Sequence, residues 1–136
     1  GIGRRQRQMC IRDRLWVQGE TDSNTINGSI AADTYHQNLE NLVNSVREHY
    51  HIPNLPFLIL GVGSKKVQKA MFEVSKKLNN VSFIERSHDV NKINYTPIYT
   101  HKWKNKPVGH YNYKGMKKIG QLFFESYQAS YANLLQ

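Results

Sequence analysis

Apolar residues occur along the chain in two kinds of pattern, short continuous runs and helical repeats. The strongest run is PFLILGVG at residues 56–63, which is typical of a strand buried on both faces of a parallel sheet. Shorter runs, LWVQ at residues 15–18 and VSFIE at residues 81–85, predict two further strands. The first of these runs stops at Gly19, as a buried strand does before a turn.

Between these runs, apolar residues recur every three or four positions, which predicts amphipathic helices. One helix is predicted over residues 34–50, a second after Ser64, which is a suitable N-cap, and a third from about Lys114. Residues 86–112 are predicted mainly as loop, with at most a short strand at residues 96–100.

Strands that alternate with helices favour a parallel sheet with helices on its faces, and 136 residues with 39% hydrophobic content suffice for one such domain. No apolar run approaches the roughly 20 residues that cross a bilayer, so no membrane partner is expected. Open parallel sheets bind ligands at the carboxyl ends of their strands. The QGETDS sequence at residues 18–23 follows the first predicted strand and is therefore a candidate site.

Residues 4–14, RRQRQMCIRDR, differ in character from the rest of the chain. They hold five arginines and one aspartate, which contribute +4 of the formal net charge of +9. They lack helical or strand periodicity, and the string resembles one reading frame of a transposon-end sequencing adapter. We therefore interpret residues 1–14 as non-native and residues 15–136 as the C-terminal part of one domain. A basic arm that binds phosphates is the alternative.

This interpretation leaves the native sequence with a formal net charge of +5, which is only mildly basic. It also removes Cys10, the only cysteine, and with it any thiolate or disulfide chemistry. The native chain is then expected to have been cut at Leu15, with any signal segment lying upstream.

The turn that begins at Gln18 carries side chains suited to catalysis at a strand end. Gly19 permits a positive-φ turn, which would direct the Gln18 amide into the crevice above the sheet. A neutral amide donor there stabilises an oxyanion as it develops. Glu20 and Asp22 are carboxylates on the same turn that could orient a neighbouring group. The alternative is an ordinary glycine turn with solvated acids.

His110 is a candidate general base. It lies just before the third predicted helix, between a glycine and a tyrosine, and a histidine at a helix start can reach into a crevice. The alternative is that His110, one of six histidines on a basic chain, has no catalytic role.

Four sequence blocks occur in a recognisable order: W-x-Q-G-E-[ST]-D, Y-x-x-x-L-x-x-L-x-x-x-x-R, LPF, and a final histidine block with two trailing glycines. The matching residues are Trp16, Gln18, Gly19, Glu20, Thr21, Asp22, Tyr35, Leu39, Leu42, Arg47, residues 55–57, His110, Gly115 and Gly120. This combination resembles the SGNH hydrolases, most closely the branch that contains sialate O-acetylesterases and acetylxylan esterases. The resemblance extends from Leu15 to about Tyr127.

The resemblance implies a flavodoxin-like three-layer α/β/α fold, without its N-terminal strand or strands, and a serine esterase that removes O-acetyl groups from carbohydrates. His110 would be the general base, and Gln18 with Gly19 would belong to the oxyanion-hole block. Glu20 would brace that turn or substitute for a catalytic acid. The acyl-enzyme route needs no metal or other cofactor. The expected partner is an acetylated carbohydrate, and a secreted or periplasmic location is compatible with the family.

Two positions depart from the family pattern. The nucleophilic serine of the family lies in a Gly-x-Ser-Asn turn, and no serine of this chain lies in such a turn. The chain is therefore expected to be a truncated, inactive fragment of an active parent. The carboxylate that usually stands three residues before the histidine is replaced by Pro107. Either the parent uses a Ser–His dyad, or another acid such as Glu20 substitutes.

Other functions remain as alternatives. The first is a non-catalytic carbohydrate-binding or interaction domain on the same fold, with sugar-stacking candidates at Trp16, Trp103, Tyr111 and Tyr113. Nucleic-acid binding through SKKVQK, KWKNK and YKGMKK is weaker, because these lysine runs fall in different elements, and no nucleic-acid partner is expected. A metal site at His49 and His51 is weaker still, because alternate residues on a helix point apart.

Overall fold

A computed structural model of the chain describes residues 13–23, 28–96, 98–103 and 106–131, with the backbone alone at residues 28–29, 98–103 and 106–110. The elements in chain order are β1 (Arg14–Trp16), α1 (Gly28–Tyr50), β2 (Phe57–Leu60), α2 (Lys65–Lys77), β3 (Val81–Ile84), β4 (Ile98–Trp103), β5 (Lys106–Tyr111) and α3 (Tyr113–Tyr131). Within these ranges, no helix is long and apolar enough to cross a membrane.

The three predicted strands form one parallel sheet in the order β1-β2-β3. The central strand β2 is the apolar run that predicted a doubly buried strand, and each of its four residues is at most 2% exposed. The strands pair in register, so that Trp16, Ile59 and Phe83 are partners across the sheet. The parallel sheet predicted from the apolar runs is therefore confirmed.

Alternate residues of β3 contact helices on opposite faces of the sheet. The Phe83 ring contacts Phe72 of α2 with 6.0 Å between the ring centroids, whereas Ser82 Oγ hydrogen-bonds the Tyr131 hydroxyl of α3. Because neighbouring residues of a strand point to opposite faces, α2 and α3 cover opposite faces of the sheet, and α1 packs beside α2. This α/β arrangement confirms the predicted fold class and is consistent with a flavodoxin-like SGNH-hydrolase fold.

The same Ser82–Tyr131 contact fixes the direction of α3. Ser82 lies at the amino end of β3, and Tyr131 is the last residue of α3. The helix therefore ends at the amino edge of the sheet and begins at the carboxyl edge. Its first residues share that edge with the turns that follow β1 and β2.

The region before α3 corrects the sequence prediction. Residues 86–112 were expected to be mainly loop, but β4 and β5 form an antiparallel pair of six residues each, separate from the parallel sheet. The β-branched and aromatic residues of the segment favour strands, while its lysines, Pro107 and Gly109 suggested a loop. The two strands are stabilised by pairing with each other. This pairing cannot be read from short stretches of sequence, and it outweighs the loop preference of the lysines, Pro107 and Gly109.

Arg47 of α1 braces the amino edge of the sheet. Its side chain is buried, with 8% exposed, and its guanidinium donates to the carbonyl oxygens of Leu55 at 2.9 Å and Asn79 at 2.7 Å. These residues precede β2 and β3, so one side chain ties together the entries to both strands. Burial lowers the pKa of Arg47 from its usual range.

We expect Arg47→Met to lower the free energy of unfolding by about 2 kcal/mol, because two carbonyl groups at a buried site lose their donor. Urea denaturation measures this change, and Arg14→Met is the matched control. The Arg14 side chain is exposed, and its guanidinium hydrogen-bonds only the Tyr50 hydroxyl among the described residues and lies 5.2 Å from the centroid of the same ring, so its loss should cost about 0.5 kcal/mol or less. Equal effects of the two substitutions would show that Arg47 does not brace the sheet.

Candidate active site

The turn after β1 is built around a glycine that no other residue could replace without strain. Gly19 has φ +147° and is buried. A Cβ atom at this position would lie 2.9 Å from Val67 Cγ1, 3.0 Å from Met71 Cε and 3.2 Å from the Tyr35 hydroxyl. The backbone therefore passes directly against α1 and α2, at the carboxyl edge of the sheet.

Ser23 closes this turn and joins it to the loop after β2. Its hydroxyl donates to the Gly19 carbonyl at 2.6 Å, and its own backbone N–H donates to the same carbonyl at 3.1 Å. The Ser64 N–H donates in turn to Ser23 Oγ at 2.8 Å. Ser64 is the N-cap of α2, as predicted, so the turn is fixed to the start of a helix.

The loop after β2 contributes a second positive-φ glycine to the same contact. Gly63 has φ +80°, and a Cβ atom on it would lie 2.8 Å from the Gly19 carbonyl oxygen. Two glycine backbones thus approach each other where the turns after β1 and β2 meet. Such close backbone approach is a common feature of functional sites, because it exposes main-chain amides to a ligand.

Tyr35 of α1 holds the backbone of Gln18. Its hydroxyl donates to the Gln18 carbonyl at 2.6 Å and accepts from the Trp16 indole N–H at 3.2 Å. Burial raises the pKa of Tyr35, and the Trp16 hydrogen bond partly opposes this shift. The hydroxyl therefore stays protonated and remains a donor. The Gln18 side chain itself is exposed.

Arg86 and Tyr111 bring the hairpin to the same edge. Arg86 Nε donates to the Gly61 carbonyl at 2.7 Å, and its guanidinium carbon lies 5.5 Å from the centroid of the Tyr111 ring. Burial raises the pKa of Tyr111, Arg86 lowers it, and the carboxylate of Glu20 raises it. Glu20 is thus within electrostatic reach of the residue that follows His110.

The structure describes only part of the predicted histidine block. The His110 backbone lies in β5, where it pairs with Tyr99, and Pro107 pairs with Lys102. The side chains of both residues lie outside the described part of the chain, so the role of His110 as base stays a prediction. What the fold brings together at the carboxyl edge is Tyr111 and the loop after β2, through Arg86, and that loop contacts the Gly19 turn.

A family model described as carbohydrate esterase, sialic acid-specific acetylesterase, matches residues 3–129. The chain belongs to this family of carbohydrate esterases. Comparisons with curated proteins and with solved structures gave no match. The range matched to the acetylesterase family includes the whole arginine-rich segment at residues 4–14, and β1 begins at Arg14. The domain boundary at residue 15 stays a prediction.

In this acetylesterase-family chain, the predicted stacking aromatics have different environments. Trp16 and Tyr111 are half-buried and pack against the core, whereas Tyr113 is 80% exposed. The Trp103 side chain lies outside the described residues. Among the described residues, no group of three histidine, cysteine, aspartate or glutamate side chains could hold a metal ion.

The sequence did not reveal three residues that support the site: Ser23, Tyr35 and Arg86. Ser23 ends the QGETDS stretch but was not assigned a role, and Tyr35 was identified only as part of a helix face and of a family pattern. Arg86 follows β3 and lacks any sequence signal. Their contacts span 17 to 41 residues along the chain, which local patterns do not report.

We expect Ser23→Ala to lower the free energy of unfolding by about 1–2 kcal/mol, because the Ser64 amide and the Gly19 carbonyl each lose a partner. Urea denaturation provides the measurement. Ser75→Ala is the matched control, since the exposed Ser75 hydroxyl donates only to the Phe72 carbonyl of its own helix. Its expected change is within about 0.5 kcal/mol. A Ser23→Ala change as small as the control would mean that the two turns do not depend on this bridge.

Proposed function

We propose that the parent protein is a serine esterase that removes O-acetyl groups from carbohydrates, and that this chain supplies its oxyanion block and its histidine. Residues 15–136 are then the C-terminal part of the catalytic domain, and residues 1–14 are non-native. The observation that carries the proposal is the Gly19 turn at the carboxyl edge, which Ser23 holds by a hydrogen bond to the Gly19 carbonyl. Glu20 of this turn raises the pKa of Tyr111, the residue that follows His110. Membership of a carbohydrate esterase family supports an acetylated carbohydrate as substrate.

In the proposed reaction, a serine hydroxyl attacks the acetyl carbonyl while His110 takes its proton. The carbonyl oxygen becomes an oxyanion, which the Gln18 side-chain amide and the amides of the Gly19 turn stabilise. His110 returns the proton to the sugar oxygen as the carbon–oxygen bond breaks. It then takes a proton from water as the water oxygen attacks the acyl carbonyl, and it returns that proton to the serine oxygen as the acyl–serine bond breaks and the acetyl group leaves as acetic acid.

Glu20 has two candidate roles in this scheme. Its carboxylate is exposed and acts electrostatically on Tyr111, which supports a position close to the histidine block. Pro107 cannot orient an imidazole, so Glu20 serves either as the substitute acid or as a brace for the oxyanion turn. The restored parent with Glu20→Gln separates these roles, because loss of an orienting acid lowers kcat, whereas loss of a brace lowers stability.

The chain as given is proposed to be inactive, because its serines all lie outside a Gly-x-Ser-Asn turn. We use "restored parent" for residues 15–136 joined to the native coding sequence upstream of Leu15. A fluorophosphonate probe reacts with activated serines, and intact-mass spectrometry detects the adduct. We expect stoichiometric labelling of the restored parent and no labelling of the chain as given.

The control for this experiment is the restored parent after heat denaturation, which should lose its labelling. Stoichiometric labelling of the chain as given would show that one of its own serines is the nucleophile. A restored parent without a Gly-x-Ser-Asn turn, or one that stays unlabelled, would contradict the esterase proposal.

A further inference from the structure

The peptide group that joins Gln18 to Gly19 has a protein partner at only one of its two polar ends. Its carbonyl oxygen accepts a hydrogen bond from the Tyr35 hydroxyl at 2.6 Å. Its N–H, which belongs to Gly19, has no hydrogen-bond partner within the described part of the chain. An unpaired main-chain N–H on a buried residue is rare in proteins, so this N–H is a candidate donor to a ligand.

The planarity of the peptide bond couples the directions of these two groups. The Gln18–Gly19 bond is trans, and in a trans peptide group the C=O and N–H bonds point in opposite directions. Tyr35 belongs to α1, so its hydrogen bond to the Gln18 carbonyl directs the Gly19 N–H away from α1. The helix that follows His110, α3, lies on the opposite face of the sheet from α1.

Trp16 fixes the direction in which the Tyr35 hydroxyl donates. The indole N–H of Trp16 lies 3.2 Å from the Tyr35 oxygen and can donate but not accept, so the tyrosine oxygen is the acceptor in this contact. The proton of the hydroxyl is then left for the Gln18 carbonyl, which can only accept. We call this chain of two hydrogen bonds, from Trp16 through Tyr35 to Gln18, the tyrosine bridge.

The tyrosine bridge is anchored in the core of the protein. Tyr35 is 5% exposed and belongs to the same buried cluster as Leu39 and Val43 of α1. Burial raises the pKa of Tyr35, so the hydroxyl keeps its proton at neutral pH. A Cβ atom on Gly19 would lie 3.2 Å from the Tyr35 oxygen, and the glycine therefore allows the turn to approach the hydroxyl closely.

A separate contact already holds the turn in place. Ser23 donates twice to the Gly19 carbonyl, which belongs to the next peptide group along the chain. The Tyr35 hydroxyl acts instead on the Gln18–Gly19 peptide group, and it sets the rotation of that group about the chain. Glycine permits more than one such rotation, so a specific contact is needed to select one.

We infer that Tyr35 is a positioning residue for the esterase reaction, because its hydrogen bond to the Gln18 carbonyl directs the Gly19 N–H toward the oxyanion. The Gly19 N–H then donates beside the Gln18 side-chain amide. Donors that are fixed before the reaction stabilise the developing charge without having to reorganise. This inference rests on the proposed esterase function, and it assigns to a residue of α1 the alignment of a main-chain donor.

NMR spectroscopy of the chain as given tests the tyrosine bridge without any need for activity. The chain contains two tryptophans, so its ¹⁵N spectrum has two indole cross-peaks, which Trp103→Phe assigns. We expect Tyr35→Phe to move the Trp16 indole resonance upfield and to shift the Gly19 amide resonance, because both groups depend on the lost hydroxyl.

The kinetic test uses the restored parent with Tyr35→Phe. We expect kcat for 4-nitrophenyl acetate to fall about 10-fold or more and KM to change less than twofold, because the Gly19 N–H stabilises the transition state and not the bound ester. Rates are expressed per fluorophosphonate-labelled site, so that an unfolded fraction does not lower kcat.

Tyr131→Phe is the matched control for Tyr35→Phe. Tyr131 is 4% exposed, and its hydroxyl hydrogen-bonds Ser82 at the amino edge of the sheet, away from the candidate active site. Each substitution removes one hydroxyl from a buried tyrosine, so both should lower stability. Only Tyr35→Phe should lower kcat per labelled site, and Tyr131→Phe should change it less than twofold.

Trp16→Phe provides a second variant that keeps the Tyr35 hydroxyl. It removes the donor that fixes the direction of this hydroxyl, and we expect kcat to fall about threefold. The double variant Trp16→Phe, Tyr35→Phe should lose no more kcat than Tyr35→Phe alone, because both residues act through the same hydroxyl.

Three results would overturn the inference: a Trp16 indole resonance that Tyr35→Phe leaves in place, equal kcat per labelled site in Tyr35→Phe and Tyr131→Phe, or losses that multiply in the double variant. None of these results bears on the esterase proposal, which serine labelling of the restored parent tests separately. A restored parent that stays unlabelled would contradict the esterase proposal, and the role of Tyr35 in catalysis with it, even if the NMR result holds.

Discussion

Gly19→Ala is expected to lower the free energy of unfolding by about 4 kcal/mol, a large fraction of the roughly 5–15 kcal/mol that stabilises a typical domain. Two effects add at this residue. An alanine would have to adopt φ +147°, which L-residues avoid, and its Cβ would lie within 3.0 Å of Val67 and Met71 side-chain atoms. Val67 is a fully buried, branched residue of α2, so its Cγ1 atom cannot move aside freely. Thermal and urea denaturation of purified variants measure the loss.

Gly120→Ala provides the matched control for Gly19→Ala. Gly120 lies within α3, and nothing is within 4 Å of a Cβ built on it. The substitution should raise stability by about 0.5–1 kcal/mol, because alanine favours a helix over glycine. Opposite signs for the two glycines would support the described turn. A Gly19→Ala protein as stable as the starting chain would show that the turn has another conformation.

His110→Ala in the restored parent is expected to lower kcat for 4-nitrophenyl acetate about 1,000-fold or more, with a much smaller change in KM. The imidazole acts on the proton in both the acylation and the deacylation steps, so its loss affects the transition states and not the binding of substrate. Stopped-flow and steady-state absorbance assays measure both constants.

His49→Ala is the control for His110→Ala. His49 lies on the exposed face of α1, toward its carboxyl end, and its ring contacts only that of Tyr50 among the aromatic rings of the described residues. Its removal should change kcat less than twofold. Equal rates of His110→Ala and the unsubstituted parent would exclude His110 as the base and leave the oxyanion turn without a catalytic partner.

The sequence predicted the parallel sheet because its signal is local. β2 is a continuous apolar run, and α2 begins at Ser64, a residue type that favours the N-cap position. The position of Gly19 at a strand end was predictable for the same reason. The sequence also placed the candidate site at the carboxyl edge of the sheet, because open parallel sheets generally bind their ligands at the carboxyl ends of the strands.

The parts that the sequence did not predict depend on distant contacts. The hairpin of β4 and β5 was assigned to loop, because proline and glycine obscure its pairing. The bridge from Ser23 to Ser64 joins residues 41 positions apart.

Acetate release from a mono-O-acetylated N-acetylneuraminic acid tests the central claim most directly. The restored parent and the chain as given are assayed side by side, with acetate and the de-esterified sugar both quantified. We predict that the restored parent releases one acetate per sugar over many turnovers, and that the chain as given releases none above the uncatalysed rate. Release by neither protein, or equal release by both, would contradict the account of this chain as the oxyanion and histidine part of an acetylesterase.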